Sequence, residues 1–135
     1  MDFLFGGRLG RLGYVGGSVV SGLLISVLMM AVGRVFGRGG IAEGNETGAV
    51  TAMLVLFAAA ILVGLVLTVR RLHDLNMSGW HYAWMVALPA LLFGFAFGMH
   101  SRDLHAFGVG TELVIWLWVA FWPGTDGMNR YGYRA

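Results

Sequence analysis

Long apolar runs alternate with short polar segments along this chain, and the spacing predicts four membrane-crossing helices. The runs extend from Tyr14 to Val32, Val50 to Val69, Trp80 to Met99 and Leu104 to Trp122. Each approaches the ~20 residues that a helix needs to cross a hydrocarbon core of ~30 Å. None alternates as a strand does, and only helices or closed barrels satisfy their backbone groups in lipid. The second run carries no charge. The fourth is the least regular. It holds His105, Gly108, Gly110 and Glu112, and its uninterrupted apolar part covers only Leu113 to Trp122. That run is expected to begin as an interfacial segment or to cross at a tilt, with Glu112 near the start of its helix.

The connections are short. Gly33 to Gly48 is the longest and reads as a solvated, mobile loop; Leu75 to Gly79 and Gly98 to Asp103 read as tight turns. Small residues recur every four positions at Ser18, Gly22 and Ser26, at Ala60, Gly64 and Thr68, and at Gly94 and Gly98. That spacing predicts close contact between helix backbones. Pro89 should kink the third helix, since it lacks a backbone donor. Ser78 is placed to cap that helix, and Trp80, Tyr82 and Trp84 to form an interfacial belt. The fold class is all-α: an integral membrane bundle of four transmembrane helices with short loops, in one domain over residues 1–135.

Composition narrows the function. Hydrophobic residues make up 58% of the chain and charged residues 12%, against about 25% charged in soluble domains. There is no cysteine, which removes disulfides, thiolate nucleophiles and cysteine-type zinc or iron–sulfur sites. All basic side chains are arginine. The net charge of +2 is small, and without a soluble basic domain no nucleic-acid partner is expected. The first apolar run is read as a retained span rather than a cleaved leader. On a four-span topology Arg8, Arg11, Arg70, Arg71, Arg130 and Arg134 share one side, and Arg34, Arg38 and Arg102 the other. The positive-inside rule then puts both termini in the cytoplasm.

The polar residues gather in three motifs that this topology brings to one face. They are Phe5-Gly-Gly-Arg8-Leu-Gly-Arg11, Arg70-Arg71-Leu-His73-Asp74-Leu-Asn76-Met-Ser78-Gly79-Trp80, and Pro123-Gly-Thr-Asp126-Gly-Met-Asn129-Arg130-Tyr131-Gly132. In these motifs the chain resembles the bacterial inner-membrane family catalogued as domain of unknown function 805. The resemblance rests on Gly7-Arg8 with Arg11 and Tyr14, on Arg70 to Asp74 with Ser78 to Trp80, and on Pro123 to Thr125 with Asn129 to Gly132. It departs from the family pattern at Val15, His81 and Tyr133. It implies a small multi-span protein of the bacterial inner membrane and supplies no reaction.

Asp74 ends the second run, where the helix dipole disfavours a negative charge. Arg70 and Arg71 precede it by four and three positions, an unfavourable order for an ion pair. A further partner is therefore expected among Arg8, Arg11 and Arg130. His73 could act with Asp74 as an acid–base pair, or with His81 on a metal, but no third ligand lies near. The leading reading is non-enzymatic, with no catalytic residue, metal or cofactor. Arg8, Arg11, Arg70, Arg71, His73, Asp74, Asn129 and Arg130 form a cytoplasmic cap that binds anionic lipid headgroups or a partner membrane protein; Ser78, Trp80 and Pro89 are structural. A homo-oligomer is also compatible. The alternatives are an oligomeric transporter or channel subunit, which asks for a path past Glu112, and an interfacial lipid enzyme using His73 and Asp74.

Overall fold

The computed structural model describes residues 6–37 and 46–132. Four helices account for most of them: α1 Arg11–Gly37, α2 Glu46–Asp74, α3 His81–Gly98 and α4 Arg102–Phe121. They contain 27, 29, 18 and 20 residues, or about 40, 44, 27 and 30 Å at 1.5 Å per residue. All four are long and apolar enough to cross a membrane. Leu23, Val27, Leu54, Leu62, Phe95 and Val114 stand exposed on the outer surface. Such a surface suits lipid rather than water, and the chain is a multi-pass membrane protein. Among the described residues there is no strand; Asn129 and Gly132 form an antiparallel bridge.

The first two helices outrun their apolar cores. α1 continues through Gly33 and Arg34 to Gly37, and α2 already includes Glu46, Thr47 and Gly48. The expected loop is thus helical at both ends; its middle, residues 38–45 with Arg38, lies outside the described residues, as does Arg134. Hydropathy marks where a helix meets lipid, not where its hydrogen bonds stop, and a single glycine costs only about 1 kcal/mol. The fourth helix also differs from expectation. It is continuous from Arg102, with the Ser101 side chain accepting from the Leu104 amide at 3.4 Å. Glu112 therefore lies midway along the span, not at its start.

Two chain reversals use the same device. After α2 the amides of Met77 and Asn76 return to the carbonyls of Leu72 (2.8 Å) and His73 (3.1 Å). After α3 those of Ser101 and His100 return to Ala96 (3.0 Å) and Phe97 (3.3 Å). The pivots, Asn76 at φ 59° and His100 at φ 51°, are left-handed, as this C-terminal motif requires. Ser78 contributes to the turn before α3: its hydroxyl accepts from the Trp80 amide at 3.4 Å, while its carbonyl accepts from the His81 amide at 3.1 Å. The helix cap itself falls on Trp80 and has no side-chain hydrogen bond, so Ser78 is a turn residue rather than the expected cap. Pro89 is buried inside α3, which continues through it.

The helices pack as two hairpins, α1 with α2 and α3 with α4, and the hairpins touch each other much less. Leu67 fits against Gly17, where a Cβ would stand 3.0 Å from Leu67 Cδ2. Phe93 fits against Gly108, where a Cβ would stand 2.9 Å from Phe93 Cε1. The core between hairpins is small and lies toward the three-motif end: Tyr14, Leu72, Met85, Val119 and Ala120. The small-residue stripes do not do what their spacing predicts. Ser18, Gly22 and Ser26, and Ala60, Gly64 and Thr68, line an open groove between the hairpins. Apart from the chain neighbours and the nearby backbone of its own helix, nothing lies within 4 Å of a Cβ built on Gly22, Gly94 or Gly98.

This packing separates glycines that matter from those that do not. Gly108→Leu should overpack the second hairpin and cost about 1–3 kcal/mol. Gly94→Leu should leave the melting temperature in detergent unchanged or raised, because glycine is the poorer helix former. Equal melting of the two variants would contradict the assignment.

Candidate functional site

The three motifs meet around one buried carboxylate. Gly7 turns the N-terminal segment at φ +81°, a conformation open to glycine without strain. The Leu9 amide then donates to the Arg70 carbonyl at 3.0 Å, and the intervening Arg8 side chain enters the protein. Its Nε donates to Asp74 Oδ1 at 3.1 Å, and its Nη2 lies 3.0 Å from the same oxygen. From the other side Arg71 Nη1 donates to Asp74 Oδ2. Arg8, Arg71 and Asp74 are all fully buried.

Two guanidiniums and one carboxylate leave a surplus positive charge. Backbone carbonyls take it up. Arg71 Nε donates to Val119 O at 2.9 Å, and Nη2 to Ala120 O at 3.4 Å and Trp122 O at 2.5 Å. These oxygens end α4, where carbonyls lack helical partners and carry the negative end of the dipole. Arg71 thus caps a neighbouring helix. Arg8 does the same for the segment after α4. It donates to the carbonyls of Thr125, Gly127 and Gly132, the last at 3.2 Å, and to Thr125 Oγ1 at 3.1 Å. Gly127 and Gly132 have φ of +68° and +100°, which allow the loop to curl around the guanidinium.

The loop in turn closes α2. The Thr125 amide and hydroxyl both donate to the Asp74 carbonyl, at 2.8 and 2.9 Å. Asn129 Nδ2 donates to the His73 carbonyl and to Thr125 Oγ1, each at 2.8 Å. The His73 ring lies flat on Tyr131, with centroids 3.9 Å apart and planes 7° from parallel. The Arg130 guanidinium stands over the Tyr131 ring at 4.8 Å from its centroid and donates to Asn76 O at 2.9 Å.

Residues 3–133 match the family described as Protein of unknown function (DUF805). The chain belongs to that family. No curated protein and no solved structure matches it.

In this DUF805 chain, Arg8, Arg71, His73, Asp74 and Asn129 converge as the motif order suggested, and Arg8 supplies the partner expected for Asp74. Arg11 is exposed on the first turn of α1, and Arg130 lies on the outer edge. Arg70 is half-buried, and its Nε has no hydrogen-bond partner among the described residues. His81 Nδ1 lies 2.9 Å from the Ser78 carbonyl. Trp80 and Trp84 are exposed as a belt would be, but Tyr82 turns inward to the groove. Thr125 and the carbonyls of Gly127 and Gly132 were not foreseen as site groups. The Pro-Gly-Thr and Asp-Gly turn signals around them were visible, but nothing in a turn signal says which cation its carbonyls will meet.

The groove is the second feature of note. It holds about 480 Å³ and passes Tyr14, Ser18, Thr68, Tyr82 and Glu112. The hairpins are therefore not closely packed against each other at the depth of Glu112.

Asp74→Asn strands two buried guanidiniums and should cost about 3–5 kcal/mol. Asp103→Asn removes an exposed acid from the first turn of α4 and should cost no more than about 1 kcal/mol. Because the triad is sealed, anionic lipid should not rescue Asp74→Asn. Thermal melting in detergent, with and without added phosphatidylglycerol, checks both statements. Arg8→Lys should also fail, since one ammonium cannot reproduce a fork of three donating nitrogens. Amide exchange across Thr125–Gly132 should rise in that variant while exchange in mid-helix α1 stays as in the parent.

Proposed function

We propose that this protein is a non-enzymatic accessory or scaffold subunit of the bacterial inner membrane whose cap binds anionic lipid headgroups. Arg8 and Arg71 are occupied in holding the fold together, so the ligand-facing charge rests with Arg11, Arg70 and Arg130. The single observation that carries the reading is Arg70. Its Nε is removed from water and has no hydrogen-bond partner among the described residues. A buried guanidinium nitrogen left without an acceptor is costly, and a phosphate oxygen is a fitting one. Its Nη2 lies 3.7 Å from where a Cβ on Gly7 would be, so the N-terminal turn passes close beside the fork. Five described arginines at this end, Arg8, Arg11, Arg70, Arg71 and Arg130, face two carboxylates, Asp74 and Asp126. The imbalance favours an anion at the level where headgroups lie.

Vesicles supply the test. The parent should bind phosphatidylglycerol over phosphatidylcholine, and added salt should weaken that preference. Arg70→Gln, Arg11→Gln and Arg130→Gln should each lower the preference about fivefold, the equivalent of about 1 kcal/mol per arginine. Retention of phosphatidylglycerol by the triple variant at the parental level would remove the reading.

The orientation has its own check. The parent has no cysteine, so labelling is unambiguous. Met128→Cys and Met99→Cys replace exposed residues at opposite ends of the bundle. The first should react with a membrane-impermeant maleimide only after the cytoplasmic side is opened, and the second in intact spheroplasts.

A further inference from the structure

We propose that the groove between the hairpins is a binding site for an amphiphilic organic cation, with Glu112 as the counter-ion of its ammonium group. Glu112 lies midway along α4, about 14 Å from either end at 1.5 Å per residue. It has no ion pair among the described residues. An acid at that depth marks a ligand or ion pathway by default. What surrounds it says which ligand.

The groove wall is rich in hydroxyl groups and contains no basic side chain. Ser21 donates its hydroxyl proton to the Gly17 carbonyl at 2.6 Å, which leaves the oxygen lone pairs as the groups it offers to the groove. Ser18, Ser26 and Thr68 add hydroxyl oxygens nearby. The Glu112 carboxylate, with no basic side chain beside it, selects a positive group and disfavours an anion, and the hydroxyl oxygens can accept from that group's N–H bonds. Trp116, tilted 33° to Tyr14 at 6.4 Å, adds an aromatic surface of the kind that attracts ammonium groups.

Size and access define the rest of the ligand. A volume of about 480 Å³ is that of a small-molecule site rather than a bare metal ion. Gly22, Ser26, Val86 and Glu112 are exposed along the groove, so its mouth faces the hydrocarbon layer. A ligand entering there must carry an apolar chain as well as its charge. The site is independent of the cap reading: Arg11, Arg70 and Arg130 do not line it.

The test uses the full-length protein in nanodiscs and three probes of equal chain length: dodecylammonium, dodecanol and dodecanoate. Trp116 lines the groove and reports occupancy through tryptophan fluorescence, with melting temperature as a second readout. Dodecylammonium should give a saturable fluorescence change and raise the melting temperature, while dodecanoate should do neither. Glu112→Gln should weaken dodecylammonium about tenfold, as expected for loss of a charge-assisted contact, and leave dodecanol unchanged. Gly22→Leu should block all saturable binding, since its side chain would project into the groove where a Cβ meets nothing within 4 Å. Both variants should melt like the parent without probe. Equal binding of dodecanol and dodecylammonium would mean a lipid-filled groove and overturn the proposal, as would parental ammonium affinity in Glu112→Gln.

Discussion

The carboxylate of Asp74 is the constraint on which the cap end of this bundle depends. It is held between two guanidiniums that belong to different parts of the chain, Arg8 before α1 and Arg71 on the last turn of α2. Each arginine then reaches past the carboxylate to carbonyls at the end of α4 or in the loop that follows. One anion thereby fixes the N-terminal segment, two helix ends and the C-terminal loop. Buried ion pairs often add little net stability relative to an apolar core, yet removing one partner is severe. Here the carbonyl oxygens supply the solvation that water no longer gives. The arrangement also needs arginine by chemistry. Arg8 and Arg71 each donate through three nitrogens in different directions, a geometry closed to lysine.

Much of this was visible in the residues, for reasons that can be separated. Membrane helices write themselves in hydropathy, because a span in contact with lipid must be predominantly apolar. The four spans follow directly. Their ends do not, because α1 and α2 extend beyond lipid contact, where hydropathy no longer constrains them. The pairing of Asp74 was legible as a need: an acid at a helix C-terminus with arginines on its unfavourable side wants another cation. Arg8 could be named among three candidates, but its selection over Arg11 depends on a single turn at Gly7 that buries one side chain and leaves the other outside. The small-residue stripes were legible as periodicity and misleading as packing. The same absence of bulk that lets helices approach also leaves space when they do not, and spacing alone cannot choose between contact and cavity.

The arginines gathered at the cap end sit in different environments. Of the arginines at the cap end, Arg8 and Arg71 are sealed within the fold, while Arg11 and Arg130 are exposed and Arg70 lies between. Charge sealed in the fold and charge left at the surface are thus drawn from the same motifs. The opposite end has no comparable cluster among the described residues. It is closed by a backbone device, the left-handed His100 turn, and by the hydroxyl of Ser101. Among the described residues, the cap end rests on ionic side chains and the turn between α3 and α4 on local backbone hydrogen bonds.

The confinement of the inter-hairpin core to the cap end has a mechanical consequence. Tyr14, Leu72, Met85, Val119 and Ala120 join the hairpins there, and beyond them the two pairs run apart around the groove. Rods joined at one end behave as levers. A tilt of a few degrees at the joint becomes a displacement of about an ångström or more at the far end of α3 and α4, whose length is roughly 27–30 Å. Small tilts at the joint are thus felt most at the end of the bundle farthest from the cap, and the groove beside Glu112 lies along the lever.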